Sequence, residues 1–434
     1  VSDSNRSDSV ASEKSVLARL VLDDLHPEED PLEEIYRLAT TAGTEVVEEL
    51  LQRRGQPDKA TLFGKGKVAE LKSLVEQTSA DVVIVDNNLN PAQTRNLEKA
   101  IGKKVIDRTE LILDIFAAGA RTHEARLAVE LAQLEYSLPR LKRMWTHLSR
   151  QKMGVGARGP GEKQLESDRR LALKRIHDLK GELSRVEGRR ERQVASRDGI
   201  STISLVGYTN AGKSTLMNAL TGAGVEAADR LFATLDTRTR RWELPGWGTV
   251  LLSDTVGFIR DLPHSLVASF KSTLEETRQA SLLLHVADAS SPVVFDQIAA
   301  VYKVLSELGI EEKDTLLVLN KVDAVDQPVV LERIYDRYPD AIPVSARTGK
   351  GLDTLADAVG RALGDEFLDL EIELDPADGK LLAHLASQGE ILSQEYTDTA
   401  VFVHARIPAA AFGMVRDRAM SYRKLISHAA GEVA

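Results

Sequence analysis

Gly207-Tyr208-Thr209-Asn210-Ala211-Gly212-Lys213-Ser214 follows the apolar run Ile203-Ser204-Leu205-Val206 and leads into Thr215-Leu216-Met217-Asn218-Ala219-Leu220, a helical pattern. Strand, glycine-rich turn and helix in that order are the context a phosphate-binding loop requires. The glycines let backbone N–H groups turn inward on phosphate oxygens. Lys213 brings a charge to the β and γ oxygens, and Ser214 can offer its hydroxyl to magnesium. Such a loop lies at the carboxyl edge of a parallel sheet, so the decisive stretch fixes an α/β domain around it.

Three further elements occur downstream in the order that domain demands. Asp254-Thr255-Val256-Gly257 ends the strand Thr249-Val250-Leu251-Leu252-Ser253, where an aspartate can hold magnesium through water and a glycine N–H can sense the γ-phosphate. Asn320-Lys321-Val322-Asp323 ends the strand Thr315-Leu316-Leu317-Val318-Leu319 and selects the base. An ionised Asp323 accepts from the N1–H and amino group of guanine, whereas adenine offers a lone pair at N1 and no amino group at C2. Ser345-Ala346-Arg347 follows the next strand and sets a backbone N–H against the guanine O6. Taken alone, each tripeptide is an ordinary loop. Four in the right order, each at a strand's carboxyl end, point to binding and hydrolysis of GTP over residues 200–365.

Between the first two elements lies Asp229-Arg230-Leu231-Phe232-Ala233-Thr234-Leu235-Asp236-Thr237. Thr234 is the natural candidate to reach magnesium and the γ-phosphate, with Phe232, Ala233, Leu235 and Asp236 beside it in the switch segment. Ser214 and Thr234 are then the expected Mg2+ ligands. Lys213, Thr234, Gly257 and Asn210 are the residues expected to act on the transferred phosphoryl group. The residue after Gly257 is Phe258, where many related enzymes carry the glutamine that orients water. A phenyl ring cannot hydrogen-bond water, so intrinsic hydrolysis is expected to be slow until a partner or another group positions the nucleophile. Asn210 offers one compensation, an amide oxygen for K+ beside the phosphates. A loop-stabilising role for that asparagine stands equal to it.

The whole chain of 434 residues is expected to hold about three domains at roughly 150 residues each. No cysteine is present, which excludes disulfides, thiolate zinc sites and thiol nucleophiles. No apolar run approaches the roughly 20 residues of a membrane span. Residues 1–15, polar and Ser-rich without the apolar core of a secretory signal, read as a disordered tail of a soluble cytoplasmic protein. Residues 16–120 alternate apolar runs with helical patterns, a small α/β domain with a largely parallel sheet. Its Gly64-Lys65-Gly66-Lys67 lacks the spacing of a phosphate loop and reads as a turn entering a helix. Residues 366–434 open with the strict alternation Leu368-Asp369-Leu370-Glu371-Ile372-Glu373-Leu374 and continue as helix, strand and helix, a small α+β domain.

Residues 121–197 differ in kind. Leu127, Leu131, Leu134, Leu138, Leu141, Trp145 and Leu148 repeat at alternating spacings of four and three, and Ala172, Ile176, Leu179, Leu183 and Val186 do the same. Between them 154–163, rich in Gly and Pro, cannot stay helical. The reading is a long antiparallel coiled-coil arm with a flexible tip and a kink at Pro139. The net charge is −10, yet the window from Arg140 to Arg197 holds seventeen Lys and Arg against seven Asp and Glu. An acidic body with one basic arm suits a phosphate-lined RNA cavity.

These motifs resemble the translation-factor-like class of phosphate-loop GTPases, and the whole chain is similar to one family within it, HflX. The resemblance rests on GYTNAGKST, LFATLDTRTR, DTVGFIRDLP and NKVD in the GTPase domain, and on DNNLNPAQTRNLE, VIDRTELILDIF, ARTHEARLAVELAQLEYSLPRL and GARGPGEKQLESDRR outside it. It covers about residues 18–365. Thr237-Arg238 departs from it, standing where a Pro-Thr pair is common. The resemblance implies a GTPase that binds the large ribosomal subunit in bacteria. Its amino-terminal region would enter near the peptidyl transferase centre, and the protein would split or rescue stalled ribosomes. A monomer is expected. Alternatives from other classes are a ribosome-assembly or hibernation GTPase, and a regulatory GTPase that uses its coiled coil as a dimer seam for a protein partner.

Overall fold

The computed structural model describes residues 10, 12–22, 30–143, 160–195, 201–222, 231, 232, 234, 237–245, 247–260, 276–310, 314–325, 327–363, 367–397, 399–408 and 412–425. Ala233, Leu235 and Asp236 of the expected site, Trp145 and Leu148 of the expected seam, and 154–159 of the expected tip lie outside them. The chain divides into two compact units. The first takes in the described residues up to Arg190 together with Leu231, Phe232, Thr234 and 256–260, and the second takes in the rest.

In the first unit, β1 (Lys14–Val21), α1 (Glu33–Ala42), β2 (Glu45–Arg53), α2 (Lys65–Thr78), β3 (Val82–Val85), α3 (Pro91–Ile101), β4 (Lys104–Asp107) and α4 (Arg108–Gly119) alternate along the chain. The four strands form a parallel sheet in the order β2-β1-β3-β4. All four residues of β3 are buried, the burial expected of an inner parallel strand covered by helices on both faces. Gly64 is the N-cap of α2, so the Gly-Lys-Gly-Lys segment does enter a helix. Asn90 opens α3 with a capping box, its side chain accepting from the N–H of Gln93 while the Gln93 side chain accepts from the N–H of Asn90. Ordered chain reaches further back than the expected tail of 1–15. Strand β1 begins at Lys14, Val10 is fully buried, and the Ser12 N–H donates to the Gly43 carbonyl at 2.9 Å.

Helix α5 (His123–Ser137) gives way to a 3-10 turn at Leu138–Arg143. Pro139 is the cause, since it lacks the N–H that would continue the ladder. Helix α6 runs from Pro160 to Ala195, so the last four residues of the expected tip are helical. Proline is tolerated there because the first helical N–H groups have no intrahelical partner. Of the expected seam, Leu127, Leu131, Ile176, Leu179 and Leu183 are buried, whereas Leu171 and Leu173, off the seam, are exposed. Arg175 donates from Nε and Nη2 to both oxygens of Glu130, at 2.7 and 2.8 Å, and Lys180 pairs with Glu135 at 2.8 Å.

The second unit holds β5 (Thr202–Gly207), α7 (Lys213–Thr221), β6 (Arg238–Leu244), β7 (Gly248–Asp254), β8 (Leu282–Asp288), α8 (Val294–Glu307), β9 (Thr315–Asn320), α9 (Pro328–Arg337), β10 (Ile342–Pro343) and α10 (Leu352–Leu363). The sheet order is β10-β9-β8-β5-β7-β6, parallel except for β6. One apolar cluster, built on Ile203, Leu205, Leu216, Leu252, Leu284 and Leu355, packs one face of this sheet. A second, around Ile298, Leu319 and Ile334, packs the other. Strand β6 was not expected: it is an arginine-rich edge in which only Trp242 and Leu244 are buried.

Carboxyl-terminal to it, β11 (Phe367–Leu374), α11 (Gly379–Gln388), β12 (Glu390–Tyr396), β13 (Val401–Pro408), α12 (Phe412–Arg418) and β14 (Ser421–Leu425) form an antiparallel sheet in the order β12-β13-β11-β14. This is a β-α-β-β-α-β arrangement. Leu370, Ile372 and Leu374 point into its core, as the alternation in the sequence requires. The polar edge strands β12 and β14 carry no such alternation and were not anticipated. Among the described residues no helix is long and apolar enough to cross a membrane.

Candidate nucleotide site

The loop between β5 and α7 owes its path to two glycines. Gly207 has φ +151°, and a Cβ there would meet the Val286 carbonyl oxygen at 2.2 Å. Gly212 has φ +92°, and a Cβ there would meet Asn320 Nδ2 at 2.3 Å. Only glycine permits both the conformation and the close approach. Tyr208, Thr209 and Ala211 are buried in the loop, and Asn210 holds a left-handed φ of 62° without being glycine.

Lys213 is buried at the start of α7, its Nζ donating to the carbonyls of Gly207 at 3.1 Å and Tyr208 at 3.0 Å. Burial lowers its pKa to about 8, against the opposing pull of the Asp254 carboxylate. On the adjoining strand, buried His285 is pushed down to about 3, chiefly by desolvation and then by the Lys213 charge, so it is neutral at pH 7. Ser214 Oγ donates to Asp254 Oδ2 at 2.5 Å, and Asp254 is fully buried at the end of β7. The adjacent Thr255 hydroxyl donates to the Leu205 carbonyl at 2.7 Å, tying β7 to β5 rather than facing outward.

Ser214 and Asp254 thus bring hard oxygen donors together at the loop, a fit to magnesium and a poor fit to softer metals. Among the described residues there is no group of three or more His, Cys, Asp or Glu that could hold a metal by itself. A magnesium ion there would complete its shell with phosphate oxygens and water, its usual habit in nucleotide enzymes.

At the base-reading end, buried Asn320 links two loops. Its Nδ2 donates to the Ala211 carbonyl at 2.9 Å, and its Oδ1 accepts from the Ala346 N–H at 3.0 Å. Asp323 is exposed in the 3-10 turn Val322–Ala324, which leaves its carboxylate available. Buried Ser345 is engaged within its own loop, its N–H donating to Lys350 O and its Oγ accepting from the Thr348 N–H. Among the described residues the N–H of Arg347 has no protein acceptor, which makes it the donor this loop can offer to a carbonyl. Lys321, at a left-handed φ of 63°, pairs through Nζ with Asp288 Oδ2 at 2.7 Å. Sequence reasoning missed Asp288; its one signal was its place at the carboxyl end of the strand Leu282–Asp288.

Phe232, Thr234, Val256 and Gly257, expected from the sequence to act as switch residues, belong to the first unit. Phe232 is buried with its ring 4.6 Å from that of Phe116, and Thr234 and Val256 are buried as well. Phe258 is buried rather than open to solvent. Arg108, also absent from the expected site, bonds Asp86 and Glu34, each at 2.7 Å, and the Arg260 carbonyl at 3.0 Å.

Comparison with known proteins places this geometry. Family models described as GTP-binding GTPase N-terminal, GTP-binding GTPase Middle Region and 50S ribosome-binding GTPase match residues 29–117, 119–197 and 202–321 in turn. The curated GTPase HflX of Escherichia coli is 46% identical over 403 residues, covering 92% of this chain and 94% of that protein. The chain belongs to the GTPase HflX family. The HflX of Magnetococcus marinus is 49% identical over 382 residues, covering 87% of this chain and 88% of that one. A solved structure titled as the complex of SsGBP with GDP aligns at 25% identity with a TM-score of 0.47, over 81% of this chain and 99% of that one. Like its HflX relatives the chain binds GTP and is a GTP-hydrolysing enzyme, built on the phosphate-loop fold with an amino-terminal α/β domain and helices.

Proposed function

We propose that this HflX GTPase acts on the large ribosomal subunit, entering it with its basic helical segment and splitting or rescuing stalled ribosomes. The observation that carries the reading is one of charge set beside family. The match to the 50S ribosome-binding GTPase model covers residues 202–321 of the nucleotide domain, while the arm that precedes it holds a local net charge of +10 between Arg140 and Arg197 on an otherwise acidic chain. A basic element of that kind displaces counterions from RNA phosphates, so its binding weakens as salt rises. Partners in this reading are GTP or GDP and the large subunit's RNA near the peptidyl transferase centre.

Roles within the site follow from the donors. Lys213 neutralises the β and γ phosphate oxygens, and the inward N–H groups of 207–214 cradle them. Ser214 and Thr234 would hold Mg2+, with Asp254 behind Ser214, and the ion would neutralise charge developing on the phosphate oxygens. Thr234 and the Gly257 N–H sense the γ-phosphate. Asp323 reads N1–H and the amino group of guanine, and the 345–347 loop donates to O6. Asn210 offers an amide oxygen for a monovalent cation such as K+. Hydrolysis is slow in the free protein because Phe258 gives water no hydrogen bond, and rises when the subunit engages.

Sedimentation with purified subunits tests this. The protein pellets with large subunits in the presence of a non-hydrolysable GTP analogue, releases them with GDP, and splits 70S particles under GTP. Pelleting independent of nucleotide, or with small subunits alone, contradicts it.

A further inference from the structure

Lys321 is held in the left-handed region at φ 63°, ψ 31°, where glycine would be at ease. A lysine kept there is kept for its side chain. Its ammonium meets Asp288 at 2.7 Å, the two side chains being about a third and a sixth exposed, at 32% and 17%. Asp288 is itself fixed. Its Oδ1 accepts from the Ser290 N–H at 3.0 Å and from the Ser290 hydroxyl at 2.6 Å, which leaves Oδ2 for the lysine. The turn that carries it is lashed to β9 by the Ala289 N–H donating to the Asn320 carbonyl at 2.9 Å. Anchored at its far end, the Lys321 stem runs beside the phosphate loop: its Cε lies 4.0 Å from where a Cβ on Gly212 would stand. The lysine is thus pinned at both ends, with its terminal methylene beside the phosphate loop. Lysine stems commonly cover apolar surface while their charged ends stay solvated or paired.

We infer that Asp288 is a positioning residue for guanine recognition: by holding the Lys321 ammonium it keeps the lysine stem laid out as an apolar rest for the face of the base, next to the edge that Asp323 reads. This rests on the assignment of Asn320-Lys321-Val322-Asp323 as the base-reading segment. Asp288 does not touch the base in this reading, and it stands outside all four motifs. Without it the lysine recovers its rotamer freedom, which binding must then take away again.

Release of a fluorescent GDP from the full-length protein measures the effect. Asp288→Ala is expected to speed release about tenfold, the scale of one long side chain's ordering entropy, and to raise KM for GTP while kcat changes less than twofold. Asp288→Asn, which keeps an oxygen for Ser290, should show a smaller effect. In a Lys321→Met background, Asp288→Ala should add nothing, because the stem is no longer held by charge. Pyrophosphate carries the phosphates without a base and should compete equally well in wild type and Asp288→Ala. Equal weakening of GDP and pyrophosphate, an undiminished effect in the Lys321→Met background, or release within twofold of wild type would each overturn the proposal. Should Asp288→Ala fail to fold, Asp288→Asn carries the same three readouts. The underlying assignment is checked apart from this by Asp323→Asn, which should transfer preference from GTP to XTP. If it does so while Asp288→Ala leaves release unchanged, only the role of Asp288 falls.

Discussion

Arg108 Nη2 donates to the backbone carbonyl of Arg260 at 3.0 Å, so a residue of α4 holds the chain three residues beyond Gly257, the glycine proposed to sense the γ-phosphate. Arg108 is 3% exposed and also neutralises Asp86 and Glu34, which are 1% and 22% exposed. Replacing it strands a buried carboxylate, a change that costs about 3–5 kcal/mol where no other cation can take over. Here Arg19 at 3.1 Å from Asp86 covers part of the loss, so the low end of that range is expected for Arg108→Ala. Arg260→Ala removes a more exposed guanidinium, 3.4 Å from Glu34 and 4.0 Å from Asp86, whose charges Arg108 still meets, and should cost under about 1 kcal/mol. Hydrogen exchange of peptides covering 256–260 checks this: faster exchange in Arg108→Ala and little change in Arg260→Ala.

Gly207→Ala and Gly212→Ala should part company. The first sets a methyl 2.2 Å from a backbone carbonyl that belongs to β8 and cannot retreat, so the fold is expected to lose about 2–4 kcal/mol. The second meets an amide side chain, Asn320 Nδ2, that can swing away at the expense of its bond to Ala211. Gly212→Ala should therefore lose less thermal stability than Gly207→Ala, its cost being the strain at φ +92° and the displaced Asn320 bond, and should lose GDP binding. Thermal unfolding alongside GDP titration separates the two, and equal unfolding midpoints would contradict the distinction.

Much of this was legible in the sequence because phosphate binding imposes residue type and order together. Gly207, Lys213, Ser214 and Asp254 occupy positions that motif spacing at the ends of apolar strands locates, and their contacts are local to β5, α7 and β7. Asp288 and Arg108 were not legible, since their meaning comes from partners 33 and 152 residues away, Lys321 and Arg260. In the fold, β3 and β8 declared themselves as continuous apolar runs, whereas β6, β12 and β14 are edge strands whose polar sequences obey pairing rather than burial. Heptads exposed the seam of α6, and Pro139 marked where α5 ends.

Lys213 makes nucleotide affinity depend on pH. Its pKa in the folded protein is lowered to about 8 from 10.5, so below 8 it is charged folded or unfolded, and burying that charge disfavours the fold. As pH rises from 8 towards 10.5 the folded state gives up the proton first, and stability should rise across that window. Phosphates favour the ammonium, so GDP binding takes up a proton above pH 8. Affinity is expected to hold steady from pH 7 to 8 and to fall towards tenfold per unit beyond it. Lys213→Arg, charged throughout, should show no such fall between pH 8 and 9. Calorimetry in buffers of different ionisation enthalpy measures the proton directly.

Ser214 and Asp254 predict how magnesium matters. Chelation with EDTA should speed release of GTP from wild type, whereas Ser214→Ala should release quickly with or without the ion, because it lacks the hydroxyl, 2.5 Å from Asp254 Oδ2, that would reach the metal in the proposed site. Stopped-flow dissociation in both conditions reads this, and a Ser214→Ala protein as magnesium-dependent as wild type would remove Ser214 from the ligand set.

The arm is where the proposed function stands or falls. Replacing residues 154–163 by a short neutral turn removes the expected tip while leaving the nucleotide loop and the buried seam positions Ile176, Leu179 and Leu183 unchanged. The measurement is pelleting of this variant with large ribosomal subunits and a non-hydrolysable GTP analogue at two salt concentrations, alongside 70S splitting. GTP binding retained, with subunit association weakened and splitting lost, is the predicted result, and Arg158→Glu with Lys163→Glu should weaken association less and flatten its salt dependence. Normal splitting by the tip-replaced protein would contradict an arm that works by entering ribosomal RNA.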